Sequence, residues 1–150
     1  MGQDANDPDL GPEPLTLSSR DLAVRLKGTK RAIKAALLDQ SLIAGLGNIY
    51  VDESLFVAGI HPLRPANKLK PDQIERLNKA IKQVLRQAIE AKGSSLRDYV
   101  DADGNRGSFQ KLHNVYDRAN QPCVTCKTPI KRIVLGGRST HFCTHCQKRR

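Results

Sequence analysis

The residues best equipped for chemistry are four cysteines in two pairs, Cys123-Val-Thr-Cys126 and Cys143-Thr-His-Cys146, with 16 residues between the pairs. Each CxxC turn aims two thiolates at one point. A hairpin of this length then returns the second pair to the first, which is the spacing of a zinc ribbon. The sequence predicts one structural zinc ion held by Cys123, Cys126, Cys143 and Cys146. Four thiolates complete a tetrahedron and leave no open position for a catalytic water. Redox use is the rival reading, but one CxxC pair would serve it and the second would go unexplained. His141 and His145 are expected at the surface or beside the ligands rather than on the ion.

Those cysteines need a hairpin to carry them. Strands are expected over residues 130–135 and 139–142, with Gly136-Gly137 at the tip. So short a segment has too few apolar side chains to fold by packing, so the metal must supply much of its stability. Upstream the pattern is helical. A first helix is capped by Ser18 or Ser19 and stops at Gly28; a second is capped by Thr29 and runs to about Gln40. Gly45 and Gly47 break the apolar stretch over residues 41–47 into a tight double turn. A third helix follows over residues 48–58 and ends at Gly59. The strongest signal is a fourth helix from Pro71 to Lys92. There Ile74, Leu77, Ile81, Val84, Leu85, Ala88 and Ile89 mark one buried face, and Gly93 marks the stop. Residues 101–107 read as a polar, mobile loop.

The double turn offers a second kind of chemistry. Ala44-Gly-Leu-Gly-Asn-Ile-Tyr50 lacks the third glycine of a dinucleotide fingerprint and follows a helix rather than a strand, so that reading fails. It does lead through glycines to a helix N-terminus, where free N–H groups and the positive dipole end hold phosphates. Asn48 stands at the cap, either closing the helix or reaching an anion. Lys34, on the preceding helix, either approaches the same anion or is simply solvated. Asp52 and Glu53 are expected to favour the dipole of the third helix.

The charge distribution supports a polyanionic partner. The chain carries +10 overall, and from Arg118 to Arg150 it has eight Lys or Arg and no acid. Residues 1–14 are acidic and proline-containing and read as a disordered lead-in. Residues 15–117 then form the helical domain and residues 118–150 the ribbon. No apolar run reaches membrane-spanning length and no secretory signal opens the chain, so a cytoplasmic, nucleoid-associated setting is expected. The expected fold class is a mainly α-helical body followed by a small β zinc ribbon.

Several stretches together resemble the bacterial formamidopyrimidine-DNA glycosylases. They are Leu10-Gly-Pro-Glu-Pro-Leu15, Ile33-Lys34, Leu38-Asp39-Gln40, Ala44-Gly-Leu-Gly-Asn-Ile-Tyr50, Asp52-Glu53 and Ala58-Gly-Ile-His-Pro62. Further along are Arg97-Asp98, Asp103-Gly104, Val115-Tyr116, Pro122-Cys123 and Gly137-Arg138-Ser-Thr140. The match runs from about residue 10 to 148 and corresponds to the C-terminal half of those enzymes. The resemblance implies a helix–two-turn–helix domain plus zinc ribbon, gripping double-stranded DNA around a damaged or abasic nucleotide. It implies that Lys34, Asn48 and Arg138 contact phosphates. It also implies that the loop over residues 98–109 closes over an everted oxidised purine. Asp117 departs from the family, which usually has glycine there.

The family's chemistry uses an N-terminal proline amine, a glutamate beside it and a hairpin lysine. Here the chain opens Met1-Gly2-Gln3, and Pro8, Pro12 and Pro14 are internal amides, which are not nucleophiles. Gly2 has an amine but nothing to orient it. The expectation is a DNA-binding module without catalysis of its own, with a repair protein as a further partner and no small-molecule substrate. Two alternatives stand: a glycosylase and abasic-site lyase, represented here by a fragment or acting with a separate N-terminal partner, and a zinc-ribbon adaptor for other proteins.

Overall fold

The computed structural model describes residues 10–98 and 113–149. Four helices come first: α1 (Ser19–Lys27), α2 (Ile33–Leu38), α3 (Asn48–Ala58) and α4 (Pro71–Asp98). A hairpin of β1 (Lys131–Leu135) and β2 (Arg138–Phe142) follows, antiparallel, with Ile133 opposite Thr140. A mainly helical body followed by a small ribbon is the expected class.

The long α4 follows from its period. Ile74, Leu77, Ala80, Ile81, Val84 and Ala88 recur at three-four spacing and are buried against the other helices. Each large aliphatic side chain so buried contributes about 1.5–3 kcal/mol. Ile89, assigned to the same face, is instead exposed. The helix also passes through Gly93 and continues to Asp98. An isolated glycine costs a helix only about 1 kcal/mol, too little to end one this long.

Ser18 caps α1, its hydroxyl accepting the Asp21 N–H at 3.1 Å. The second helix is shorter than expected, because residues 29–32 do not wind. Ala32 bridges Pro65, and the Ala66 N–H donates to Arg31 O at 2.8 Å. The first N–H groups of α2 are then taken by carbonyls: Ile33 N donates to Arg64 O at 2.7 Å and Lys34 N to Pro62 O at 3.1 Å. Backbone replaces the side-chain cap expected from Thr29.

Residues 10–14 are a second departure from expectation. Rather than belonging to a disordered lead-in, they pack on the double turn. Gly11 N donates to Gln40 O at 2.8 Å, and Ala44 N donates to Pro12 O at 3.1 Å. A Cβ at Gly11 would lie 2.5 Å from the Leu42 carbonyl, so only glycine admits this approach. The rest of the lead-in, residues 1–9, lies outside the described residues, as does the loop expected over 101–107.

Central in the body is α3, which packs against α2, α4 and β2. Five consecutive residues, Val51 to Leu55, are buried, so every side of this helix is covered, its polar residues Asp52, Glu53 and Ser54 included. It ends at Gly59, whose φ of 73° is left-handed and whose N–H returns to Leu55 O and Phe56 O.

Candidate metal centre and nucleic-acid interface

The hairpin tip is Gly136-Gly137, with φ of 58° and 79°. Two consecutive left-handed residues make the tight turn that suits the twist of a hairpin, which is why both are glycine. The turn brings the two cysteine pairs together. All four sulfurs lie within 4.8 Å of one another, with Cys126–Cys143 at 3.4 Å and Cys123–Cys146 at 3.9 Å. A tetrahedron with Zn–S bonds of about 2.3 Å spaces its sulfurs about 3.8 Å apart. The backbone N–H of Thr125 points at Cys123 Sγ at 3.4 Å, and that of Cys146 at Cys143 Sγ at 3.3 Å, as thiolates require.

Hydrogen bonding by the Thr128 hydroxyl and backbone N–H draws Cys126 down to about 6, whereas burial, then the neighbouring sulfurs, pushes Cys146 up. Four thiolates cannot crowd together without a cation to answer them. The donor set fits a single structural zinc held by Cys123, Cys126, Cys143 and Cys146. Ile130, just outside β1, plugs the small core behind the sulfurs with Val115.

The ribbon is docked on the helices at residues 147 and 149, where Gln147 Nε2 donates to Ile60 O at 3.0 Å and Arg64 to Arg149 O at 3.2 Å, and by a group of polar contacts on β2. One oxygen of Asp52, on α3, is ion-paired with the Lys34 ammonium. The other accepts the His141 backbone N–H at 2.9 Å and stands 3.2 Å from His141 Nδ1. Lys34 also donates to the Ser139 carbonyl at 3.2 Å, and Asn48 Nδ2 donates to the same oxygen at 3.0 Å. Burial pushes Lys34 below the usual lysine range and Asp52 above the usual carboxylate range, each opposed by attraction to the other. Glu53 makes a separate anchor, its carboxylate accepting the N–H groups of Asn114, Val115 and Tyr116 at 2.7, 2.8 and 2.9 Å. Tyr116 in turn sets its ring edge against His141, 5.0 Å between centroids.

The three residues expected at phosphates thus gather around one point, though in different states. Arg138 is exposed at the start of β2. Asn48 is the first helical residue rather than the cap; Gly47 holds the cap position without a side chain, freeing the Asn48 amide to cross to Ser139. Its Oδ1 is buried without a partner among the described residues. The N–H groups of residues 48–50 precede the first bond of the α3 ladder, Val51 N to Gly47 O. Lys34 is only 1% exposed, and its charge is answered by Asp52. Lys34 and Arg138, with Arg31, Asp39, Leu135 and Gly136, line an open cleft of about 300 Å³ between α2 and the hairpin tip.

Asp52, Glu53 and His141 were the residues least legible in the sequence. The first two do not serve the helix dipole, because both are buried and committed to other segments. A signal existed: Asp52 and Glu53 stand between the apolar residues of α3, and an acid buried among them must be paired with something. His141 is buried at the junction, while His145 stays exposed. Asp117 has φ of 60°. A left-handed residue is what glycine accommodates without strain, and Asp is among the few others that tolerate it.

Two family models match: the formamidopyrimidine-DNA glycosylase H2TH domain over residues 10–100, and the zinc finger found in FPG and IleRS over residues 120–149. The formamidopyrimidine-DNA glycosylase of Solibacter usitatus is 53% identical over 140 residues, covering 93% of this chain and 53% of the relative. The structure of the MutM (Fpg) protein from Thermus thermophilus superimposes with a TM-score of 0.81 at 46% identity, covering 93% of this chain and 54% of that one. The Lactococcus lactis Fpg, in complex with abasic-site-containing DNA, gives a TM-score of 0.81 at 40% identity over 94% and 52%. The chain spans about half the length of the relatives it matches. With its two-turn helical body, its four-cysteine ribbon and these matches, the chain belongs to the formamidopyrimidine-DNA glycosylase family.

Proposed function

We propose that this chain is a DNA grip: a zinc-containing module that binds double-stranded DNA at damaged or abasic sites, where the duplex kinks. The observation that carries this reading is the meeting of Asn48 with β2 at Ser139, beside the exposed Arg138 and the open cleft. Arg138 and the free N–H groups at the start of α3 take phosphates directly. Lys34 contributes from behind, by holding the Ser139 carbonyl. Contacts of this kind position a duplex and hold its bend without reading its sequence. The DNA-bound Lactococcus relative and the net charge of +10 support the same partner. Among the described residues no helix is long and apolar enough to cross a membrane. A nucleoid setting and a repair-protein partner extend the proposal.

The test is titration of the zinc-loaded chain with an abasic-analogue duplex and an intact duplex, at about 50 and about 200 mM salt. The reading expects tighter binding to the abasic duplex and a steep loss of affinity with salt. No binding, or binding indifferent to salt, would overturn it.

A second reading is favoured by the names of the relatives, which are DNA glycosylases. On that reading the chain supplies the grip for glycosylase and lyase chemistry whose amine comes from the other half of the protein. Borohydride trapping on abasic DNA separates the two. A covalent adduct with this chain alone would sink the non-catalytic reading. An adduct that needs an added N-terminal half would make this chain one part of an enzyme.

A further inference from the structure

Ser139 and His141 stand two residues apart on one strand, so the Ser139 carbonyl and the His141 N–H lie along the same edge of β2. In a two-stranded hairpin the edge not paired with β1 needs partners wherever it is buried. Among the described residues no third strand supplies them. Side chains from the helices do: Lys34 and Asn48 donate to the carbonyl, and Asp52 accepts the N–H. Their placement reproduces the alternation of donors and acceptors that a neighbouring strand would offer. Asp52 is the link between the two ends of this contact, because it holds Lys34 with one oxygen and His141 with the other.

We propose that Asp52 is a positioning residue. By completing the edge of β2 with side chains, it fixes the ribbon's register on the helices and so sets where Arg138 stands relative to Asn48. The inference rests on the DNA-grip reading for its consequence, but not for its geometry. Arg138 precedes Ser139 directly, so a slip of β2 against α3 moves the guanidinium away from the start of that helix. Zinc organises the ribbon internally; Asp52 holds the edge of β2 to α3, beside the Glu53 anchor and the bond from Gln147 Nε2 to Ile60 O at 3.0 Å.

Removing the carboxylate alone would strand the buried Lys34 ammonium, so the variants remove both charges. Asp52→Ala with Lys34→Met takes away the acceptor for the His141 N–H. Asp52→Asn with Lys34→Met restores an acceptor oxygen at the same place. Both versions lose the Lys34 contact to Ser139, so they are compared with each other. In the zinc-loaded chain the Ala version is expected to bind the abasic duplex about tenfold more weakly than the Asn version, with zinc bound one to one in both. Added to Arg138→Ala, the Ala version should cost almost nothing more, because both changes remove one contact. Equal loss in the two versions, or a loss fully additive with Arg138→Ala, would overturn the proposal.

A reading without DNA keeps the two ideas apart. Residual dipolar couplings of the hairpin and helix amides should fit one common alignment in the parent and the Asn version, and diverge in the Ala version. A common alignment surviving in the Ala version counts against Asp52. Failure of the parent to bind DNA counts against the grip instead.

Discussion

The helical body and the ribbon solve the problem of a buried interior in opposite ways. The body surrounds α3 with a continuous apolar core that reaches from Leu17 through Leu77 to Ile81. Among the described residues, the ribbon's core cluster is Val115, Ile130 and the cysteines, with Phe56 of α3 packed against it. One region therefore folds by burying hydrocarbon, and the other by closing a metal tetrahedron. The difference teaches where each can tolerate change. The body can lose one contact and keep its fold, whereas the ribbon has one interaction that matters more than all others.

Metal removal should separate the regions most sharply. Structural zinc in ribbon-like modules is worth about 10–16 kcal/mol. Chelation, or Cys143→Ser, is expected to collapse the amide signals of residues 118–149 while the helical circular dichroism persists. Loss of both together would show that the body depends on the ribbon, and the contrast would fail.

Leu77→Ala probes the other side, since Leu77 is fully buried in the body core. It should cost about 2–5 kcal/mol of body stability in denaturant unfolding, with zinc stoichiometry unchanged. A smaller change tests the entry segment. Gly11→Ala pushes a methyl against the Leu42 carbonyl and should cost about 1–3 kcal/mol, read by thermal unfolding. The mildest perturbation runs in the stabilising direction. Asp117→Gly relieves a left-handed residue and should raise stability by up to about 1 kcal/mol; a destabilised variant would show that the Asp117 side chain makes a contribution of its own.

The sequence disclosed most where one short segment carries the whole cause. The cysteine spacing, the double glycine at the tip and the period of α4 are local patterns, and each produced the element expected. What stayed hidden was tertiary. Lys34 meets Asp52 across 18 residues, and Asp52 meets His141 across 89. No local rule distinguishes a lysine aimed at a phosphate from one aimed at a buried carboxylate. The short α2 has the same origin, because residues 62–66 claim the backbone that would have wound its first turn. Leu10–Pro14 looked polar enough to float, yet a single glycine lets it dock.

On the proposed reading, body and ribbon together form one phosphate grip, with Arg138 at its exposed edge. The most direct measurement is the salt dependence of abasic-duplex affinity for the parent and for Arg138→Ala, each fully loaded with zinc. Removing one phosphate contact should weaken binding at every salt concentration and lower the slope of log K against log salt by about 1. An Arg138→Ala chain that keeps both the parent affinity and the parent slope would contradict it.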